Sequence, residues 1–498
     1  MEYDEARWGQ PIDRCDRSAD NPGSLKRRGV VGSGFVVVGM AVLFVVVFAA
    51  GIRSAFEWDE FLFARAVENF DAAANSPHMP GYPLFVLATR MVAFAIPDAI
   101  HAVQWTGLIA AMAVLVLAFF LGRKLGLDRL RACTAVAVVA LLPCFLWFAG
   151  VGLSDVAGLL MCGAVLWSIL HENRPLCWAL LTGVLAAAAV GVRTQSVYLM
   201  GPLAIVAVIE WREKTVLRVL SASGAAILTS IGIWVPAILL TGPTRWWEAF
   251  LWQLKWVRQE QMNGLALPYA PMSWIVKGWL VRPFGTPWLA GLFWILVLGG
   301  AWILWRAGKR RLVLYCLGIG LVSLVVATLS LDLRDGPRYI LPSLFFFSFL
   351  VAGGVGVSRW YERSMAIGIV VFLVASLVWI APGLALRRSE PAPVVDVLEQ
   401  IAASVEPRDV VVFYEEKLWP HVYWILERRG FEIHPIGDLD DWPRDHQEGS
   451  RSRISVHSNR RPTPDEASWK AAWSSPQVRA MTRGRYLRCW AVRGETGN

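Results

Sequence analysis

Ser54-Ala55-Phe56-Glu57-Trp58-Asp59-Glu60, followed by Pro77-His78-Met79-Pro80-Gly81-Tyr82-Pro83, decides how the rest of the chain is read. The first stretch comes directly after a long apolar segment, Val30–Ile52. Two adjacent carboxylates therefore sit where a membrane helix meets water. Charge held against apolar surface at a bilayer boundary is costly, and it marks chemistry or transport.

The flanking sequence supports a membrane setting. The 498 residues are 56% hydrophobic and 17% charged, and uninterrupted apolar runs recur along most of the chain. Spanning helices need about 20 apolar residues, so the chain reads as an all-α polytopic membrane protein. The net charge of +9 is not a nucleic-acid footprint, because the cations do not gather on one soluble face. Lys26-Arg27-Arg28, Arg123 to Arg131, Arg212 to Arg218, Arg306 to Arg311, and Arg359 with Arg363 each border an apolar run, as the positive-inside rule expects. The seven cysteines are scattered and form no CxxC pair or framework, so free thiols are expected. Val30–Ile52 is too long for a signal-peptide core and reads as an uncleaved anchor.

Placing the basic clusters inside threads the chain. Residues 1–29 form a cytoplasmic tail, residues 30–386 a transmembrane domain, and residues 387–498 a small α/β domain on the outer face. Leu84–Ile96 is short, ends at Pro97-Asp98 and carries Arg90, so it is expected to lie at the membrane without crossing. About eleven crossings follow, or about twelve if that segment spans. The outer pieces are loops 53–83 and 241–287, the turns around Asp155, Arg193 and Arg338, and the C-terminal segment. Within that segment, helices are predicted at Asp396–Ser404 and His421–Arg429. Strands are predicted at Val410–Tyr414, Phe431–Ile436 and Tyr486–Val492, with a loop from Asp438 to Arg461.

Candidate chemistry collects on that outer face. Ser54 and Glu57 have capping-box spacing, so a helix is expected to start there. On its wheel Asp59 falls in the apolar stripe of Leu62, Phe63, Ala66, Val67 and Phe70, aimed into the protein, and Glu60 turns toward a polar face with Ala64 and Glu68. A buried carboxylate needs a partner or a function, and pairing with a nearby cation such as Arg53 is the plain structural alternative. His78 sits among prolines and a glycine that favour a sharp chain reversal. With Asp59 and Glu60 it is the one weak metal reading, a divalent cation. Asp155 competes with Ser154 as the N-cap of the next helix. Arg193 with Gln195, and Arg338 with Tyr339, lie at outer turns. They suit either internal ion pairing, Arg338 with Asp335 for instance, or a cationic cradle for phosphate. The tryptophans of loop 241–287 read mainly as an interfacial belt.

The order of these motifs resembles a known group. An Asp-Glu pair in the first outer loop, then His78-Met79-Pro80-Gly81-Tyr82-Pro83, Leu153-Ser154-Asp155 and Arg338-Tyr339-Ile340-Leu341-Pro342 is similar to the C-type glycosyltransferase superfamily. The closest branch is that of the protein O-mannosyltransferases and aminoarabinose–lipid A transferases. The resemblance covers roughly the first 360 residues. It implies a polyprenyl-phosphate-linked sugar donor, an outer-face reaction on a lipid, glycan or protein acceptor, and no resident cofactor. It matches Asp59 to the essential first-loop acid, with Glu60 beside it, and His78 to the start of a His-Pro-Pro segment. Met79 replaces the first of those prolines, and no lysine follows Tyr82 to meet the phosphate. That task falls to Arg193 and Arg338. A multi-pass transporter or flippase of a lipid-linked or anionic substrate is the alternative, although no inverted repeat is visible.

Overall fold

The computed structural model describes residues 54–55, 57–171, 175–212, 214–261, 276–330, 337–356, 359–436, 452–458, 467–472, 475–477, 481 and 488–494. All of these fall within one compact unit, Leu43–Asn498. The expected anchor Val30–Ile52, the tail before it, Arg53 and Asp335 lie outside the described residues.

Sixteen helices are described: α1 Trp58–Glu68, α2 Pro83–Ala93, α3 Ala99–Lys124, α4 Arg129–Leu141, α5 Pro143–Ala149, α6 Ser154–Ile169, α7 Leu176–Val192, α8 Val197–Glu210, α9 Thr215–Thr241, α10 Pro243–Trp256, α11 Pro287–Arg306, α12 Arg310–Ser330, α13 Leu341–Gly353, α14 Trp360–Ser389, α15 Pro393–Ser404 and α16 Trp419–Ile425. Their ends follow local chemistry. Asp98 accepts the His101 N–H at 2.7 Å to cap α3, and Asp128 accepts the Arg131 N–H at 2.9 Å to cap α4. Prolines at the first position of α2, α5, α10 and α11 fit where no intrahelical donor is needed.

Five helices (α3, α9, α11, α12 and α14) are long and apolar enough to cross a bilayer. A sixth span forms if α4 and α5, bent by 67° at Leu142, count together. The other apolar helices are shorter. α2, the expected non-crossing segment, has 11 residues, and α6, α7, α8 and α13 have 16, 17, 14 and 13. Among the described residues length alone thus assigns five or six spans, and the chain is a multi-pass membrane protein. The exposed side chains of α9, α12 and α14 are apolar along much of their length, as a lipid-facing surface requires.

The C-terminal part is a five-stranded sheet of order β2-β1-β3-β5-β4, with β1 Val410–Tyr414, β2 Glu432–Pro435, β3 Ser452–Ser458, β4 Trp469–Ala472 and β5 Arg488–Gly494. β1 pairs in parallel with β2 and β3, and β5 runs antiparallel to β3 and β4. The expected strand Val410–Tyr414 is present to the residue. Two strands, β3 and β4, are additions, and β3 replaces part of the loop expected from Asp438 to Arg461. β3 buries Ser452, Ile454, Val456 and Ser458 and turns Arg453, Ser455 and His457 outward, a period-2 strand disguised by its polar composition.

Candidate active site

α1 positions the site. It begins at Trp58, one turn later than the Ser54 capping box would place it. Glu57 supplies the first-turn contact instead, its N–H donating to the Glu60 carboxylate at 3.1 Å. Ser54 accepts the Ala392 N–H at 2.7 Å and ties the segment to the start of α15. Arg90 of α2 donates to the Val67 and Ala66 carbonyls at 3.0 Å each, satisfying the last carbonyls of α1.

The wheel reading of α1 is corrected on one point. The helix is enclosed on several sides rather than split into a buried stripe and a wet face. Asp59 and Phe63 face the site, and Phe63 packs edge-on to Tyr82 at 5.4 Å between ring centroids. Phe61, Arg65 and Glu68 face α16 and the turn after it. Phe61 meets His421 at 4.5 Å, Arg65 lies 4.5 Å over Tyr423, and Glu68 pairs with Arg428 at 3.1 Å. Glu60 and Ala64 are fully buried. Glu60 accepts from the Gly152 N–H at 3.1 Å and from Gln104 Nε2 at 3.3 Å. These partners explain why a position on the polar arc is dry, and they turn Glu60 away from His78. Asp59, Glu60 and His78 thus do not form a three-ligand group in this structure. Among the described residues no group of three or more His, Cys, Asp or Glu side chains could hold a metal ion.

The remaining sequence-selected residues converge. Arg338 donates to Asp59 at 3.0 Å and lies 3.9 Å from Asp155. Arg193 pairs with Asp155 at 2.8 Å and donates to Ser154 at 3.1 Å. Both guanidinium groups lie against the Tyr339 ring, at 5.6 Å for Arg193 and 5.1 Å for Arg338. His78 Nδ1 is 3.7 Å from the Asp59 carboxylate, and its Nε2 is 3.0 Å from the Tyr82 hydroxyl. Gln195 Nε2 donates to that hydroxyl at 3.3 Å. The Tyr82 hydroxyl thus sits between His78 Nε2 and the Gln195 amide, and His78 Nδ1 faces the Asp59 carboxylate beyond hydrogen-bond range.

Two features differ from an open cationic cradle. Each arginine is already held by an aspartate, and Asp155 stands within the first turn of α6 as an ion-pair partner, not as its cap. Tyr82 and Ser154 join the site although neither stood out as a candidate. The spacing of Tyr82, four residues after His78, was the available signal. Asp59 is 23% exposed, whereas Asp155 is 3% and both arginines 12% exposed, so Asp59 is the more accessible of the two carboxylates. Burial would raise the Asp59 pKa, but His78, Arg338 and Arg193 together hold it below the usual carboxylate value. For His78, burial and the two arginines outweigh the aspartates and lower its pKa, which keeps the ring neutral. A cavity of about 50 Å³ adjoins the cluster, lined by Asp155, Arg193, Gln195, Arg338 and Tyr339 and walled by α8 and α12. It has room for a few waters.

Gly158 makes the Arg193–Asp155 contact possible. A Cβ there would stand 2.9 Å from both Cβ and Cδ of Arg193. The first turn of α10 braces the other side of the site. Trp246 donates to the Pro80 carbonyl at 3.3 Å, and Arg245 pairs with Asp71 at 2.8 Å.

The fold has known counterparts. ArnT from Cupriavidus metallidurans in the apo state superposes with a TM-score of 0.56 at 14% identity, covering 93% of this chain and 98% of that one. The same protein bound to undecaprenyl phosphate gives 0.54 at 14% identity, covering 92% and 98%. An oligosaccharyltransferase from Archaeoglobus fulgidus in the apo form gives 0.48 at 13% identity, covering 79% and 64%. No protein-family profile and no curated protein sequence matches the chain. The chain thus shares the fold of ArnT.

Proposed function

We propose that the protein is a membrane glycosyltransferase. It moves a sugar from a polyprenyl-phosphate-linked donor to a hydroxyl of a lipid, glycan or protein acceptor on the outer face of the plasma membrane. The observation that carries this reading is the meeting of Asp59, His78, Arg193 and Arg338, drawn from four separate segments, beside one cavity. The ArnT fold supports it, and that protein's complex with undecaprenyl phosphate supports the donor class.

In the proposed step the acceptor oxygen attacks the anomeric carbon and its proton passes to Asp59. The bond from that carbon to the phosphate oxygen breaks, and its electron pair leaves with polyprenyl phosphate. Single displacement inverts the sugar carbon. The growing charge on the phosphate needs fixed cations more than it needs an acid. Arg338 and Arg193 supply them.

The resting ion pairs give the cluster a built-in exchange. Arg338 lies between Asp59 and Asp155. A donor phosphate competes with both carboxylates for that guanidinium. As Arg338 turns to the phosphate, Asp59 loses a partner that depressed its pKa and becomes a stronger base. His78 stays neutral beside Asp59, with Nδ1 facing the carboxylate.

The test is reconstitution of the full chain in proteoliposomes with polyprenyl-phosphate sugars. Release of polyprenyl phosphate coupled to a glycosylated product supports transfer. Movement of intact donor across the bilayer without product would establish transport instead.

A further inference from the structure

A second cleft lies along the same pair of helices, at the end away from the Asp59 cluster. The first cavity takes Tyr198 and Leu199 from the start of α8 and Ser323, Val326 and Ala327 from the last part of α12. The second starts at Pro202 and Val322, next to the first, and runs to Glu210 at the end of α8 and to Arg311, Leu314 and Tyr315 at the beginning of α12. α8 has 14 residues, so about 20 Å of helix separates the two ends. The second cleft encloses about 890 Å³, within the roughly 300–1,000 Å³ range of ligand pockets.

Its chemistry is divided lengthwise. Toward the middle of the helices the wall is aliphatic and open to the surroundings, with Ile205 63%, Leu314 57% and Ile209 39% exposed. At the helix ends the described lining residues include Arg212, Arg218 and Arg311, with Glu210 as the carboxylate among them. Glu210 is buried, accepts the Tyr315 hydroxyl at 2.5 Å and pairs with Arg311. Among the described lining residues, basic side chains thus outnumber acidic ones. A soluble anion would use the arginines and leave the aliphatic wall idle. An uncharged chain would use the wall and leave the arginines idle. Basic pockets between membrane helices suit anionic lipid headgroups.

We propose that this cleft binds one anionic glycerophospholipid, with its phosphodiester on Arg212 and Arg218 and its acyl chains against the α8–α12 wall. The site is separate from the glycosyl-transfer cluster and does not depend on how that cluster works. Gly318 offers a way to close it, because a Cβ on Gly318 meets no atom within 4 Å. A phenylalanine there places a ring in the middle of the cleft, beside Leu314 and Tyr315.

The full-length protein is purified in detergent with equal amounts of phosphatidylglycerol and phosphatidylcholine of matched chains, and retained lipid is counted by native mass spectrometry. Wild type should keep phosphatidylglycerol over phosphatidylcholine on the order of tenfold. Arg212→Gln with Arg218→Gln should reduce that ratio to near one, and Gly318→Phe should remove both lipids. The Gly318 variant carries the test if the arginine pair fails to give a monodisperse protein. Soluble glycerophosphoglycerol in excess should leave the bound lipid in place. Equal retention of the two lipids by wild type, unchanged retention by either folded variant, or full displacement by the soluble headgroup would overturn the proposal, the last by pointing to a plain anion site.

Discussion

Arg338 donates to the Asp59 carboxylate at 3.0 Å although 279 positions separate them in the chain. The contact joins the short helix α1 to the turn before α13, and Asp155 of α6 stands 3.9 Å from the same guanidinium nitrogen. Only a forked side chain serves two carboxylates and a phosphate from one place. Arg338→Lys keeps the charge and loses the fork. It should lower kcat on the order of 10²–10³-fold, the range seen when one transition-state donor is removed, with unchanged folding. Steady-state kinetics in proteoliposomes checks this, and a wild-type kcat would remove Arg338 from the phosphate's path.

The pH response follows from opposite contributions. Asp59 is depressed below its ordinary 3.8, so its contribution to stability is present above that value and is lost as pH falls through the folded pKa. His78 is depressed below its ordinary 6.5, so the unfolded chain takes up the proton first, and the folded protein loses stability as pH falls below 6.5. In the protonated ring Nε2 donates to the Tyr82 hydroxyl. Activity should stay level from neutral pH past the ordinary histidine value of 6.5 and decline only at lower pH, through the depressed folded pKa of His78. In His78→Gln this acid limb should disappear at a lower plateau. A limb unchanged in that variant would assign it to another group.

Glu60 is expected to matter for stability and not for chemistry. Its buried carboxylate accepts from Glu57, Gly152 and Gln104 and acts electrostatically on the buried Arg387. Glu60→Gln should cost about 1–3 kcal/mol, the cost of leaving a buried donor unmatched, seen as a lower unfolding temperature in detergent. Transfer per folded molecule should stay within about an order of magnitude of wild type. Loss of transfer at an unchanged unfolding temperature would return Glu60 to the reaction.

Gly158→Ala tests the Arg193–Asp155 pair without touching either residue. The added carbon meets the Arg193 stem at 2.9 Å and must displace it. Shifts of this size cost on the order of 10²-fold when a positioned group is misplaced by about 1 Å. Transfer should fall while unfolding changes little, and a fully active alanine variant would show that Arg193 tolerates displacement.

Much of this site was legible because polar residues interrupt apolar sequence at few places, and helix polarity sends those places to one end. Asp59, His78, Asp155, Arg193, Gln195, Arg338 and Tyr339 are singled out by that logic together with the resemblance of motif order, and the structure brings them together. The finer choices depended on what covers each helix. The wheel of α1 placed Glu60 in water, but Gln104 and the Gly152 N–H cover it. Arg387 looked like the outward end of a span. It is buried instead, stacked 4.1 Å over Trp147 and donating to that residue's carbonyl at 2.8 Å. The run Val410–Tyr414 announced a buried strand by composition. The serines and charged residues of β3 hid another, since a strand between β1 and β5 is specified by its alternation and not by how apolar it is.

The most direct measurement of the central assignment is product formation by Asp59→Asn beside wild type, in proteoliposomes supplied with polyprenyl-phosphate sugar and acceptor. The amide keeps the shape and removes the proton acceptor. The account predicts glycosylated product and free polyprenyl phosphate from wild type, and a rate reduced on the order of 10²–10⁴-fold in a variant that still folds and inserts. Product formed by the variant at the wild-type rate would contradict it.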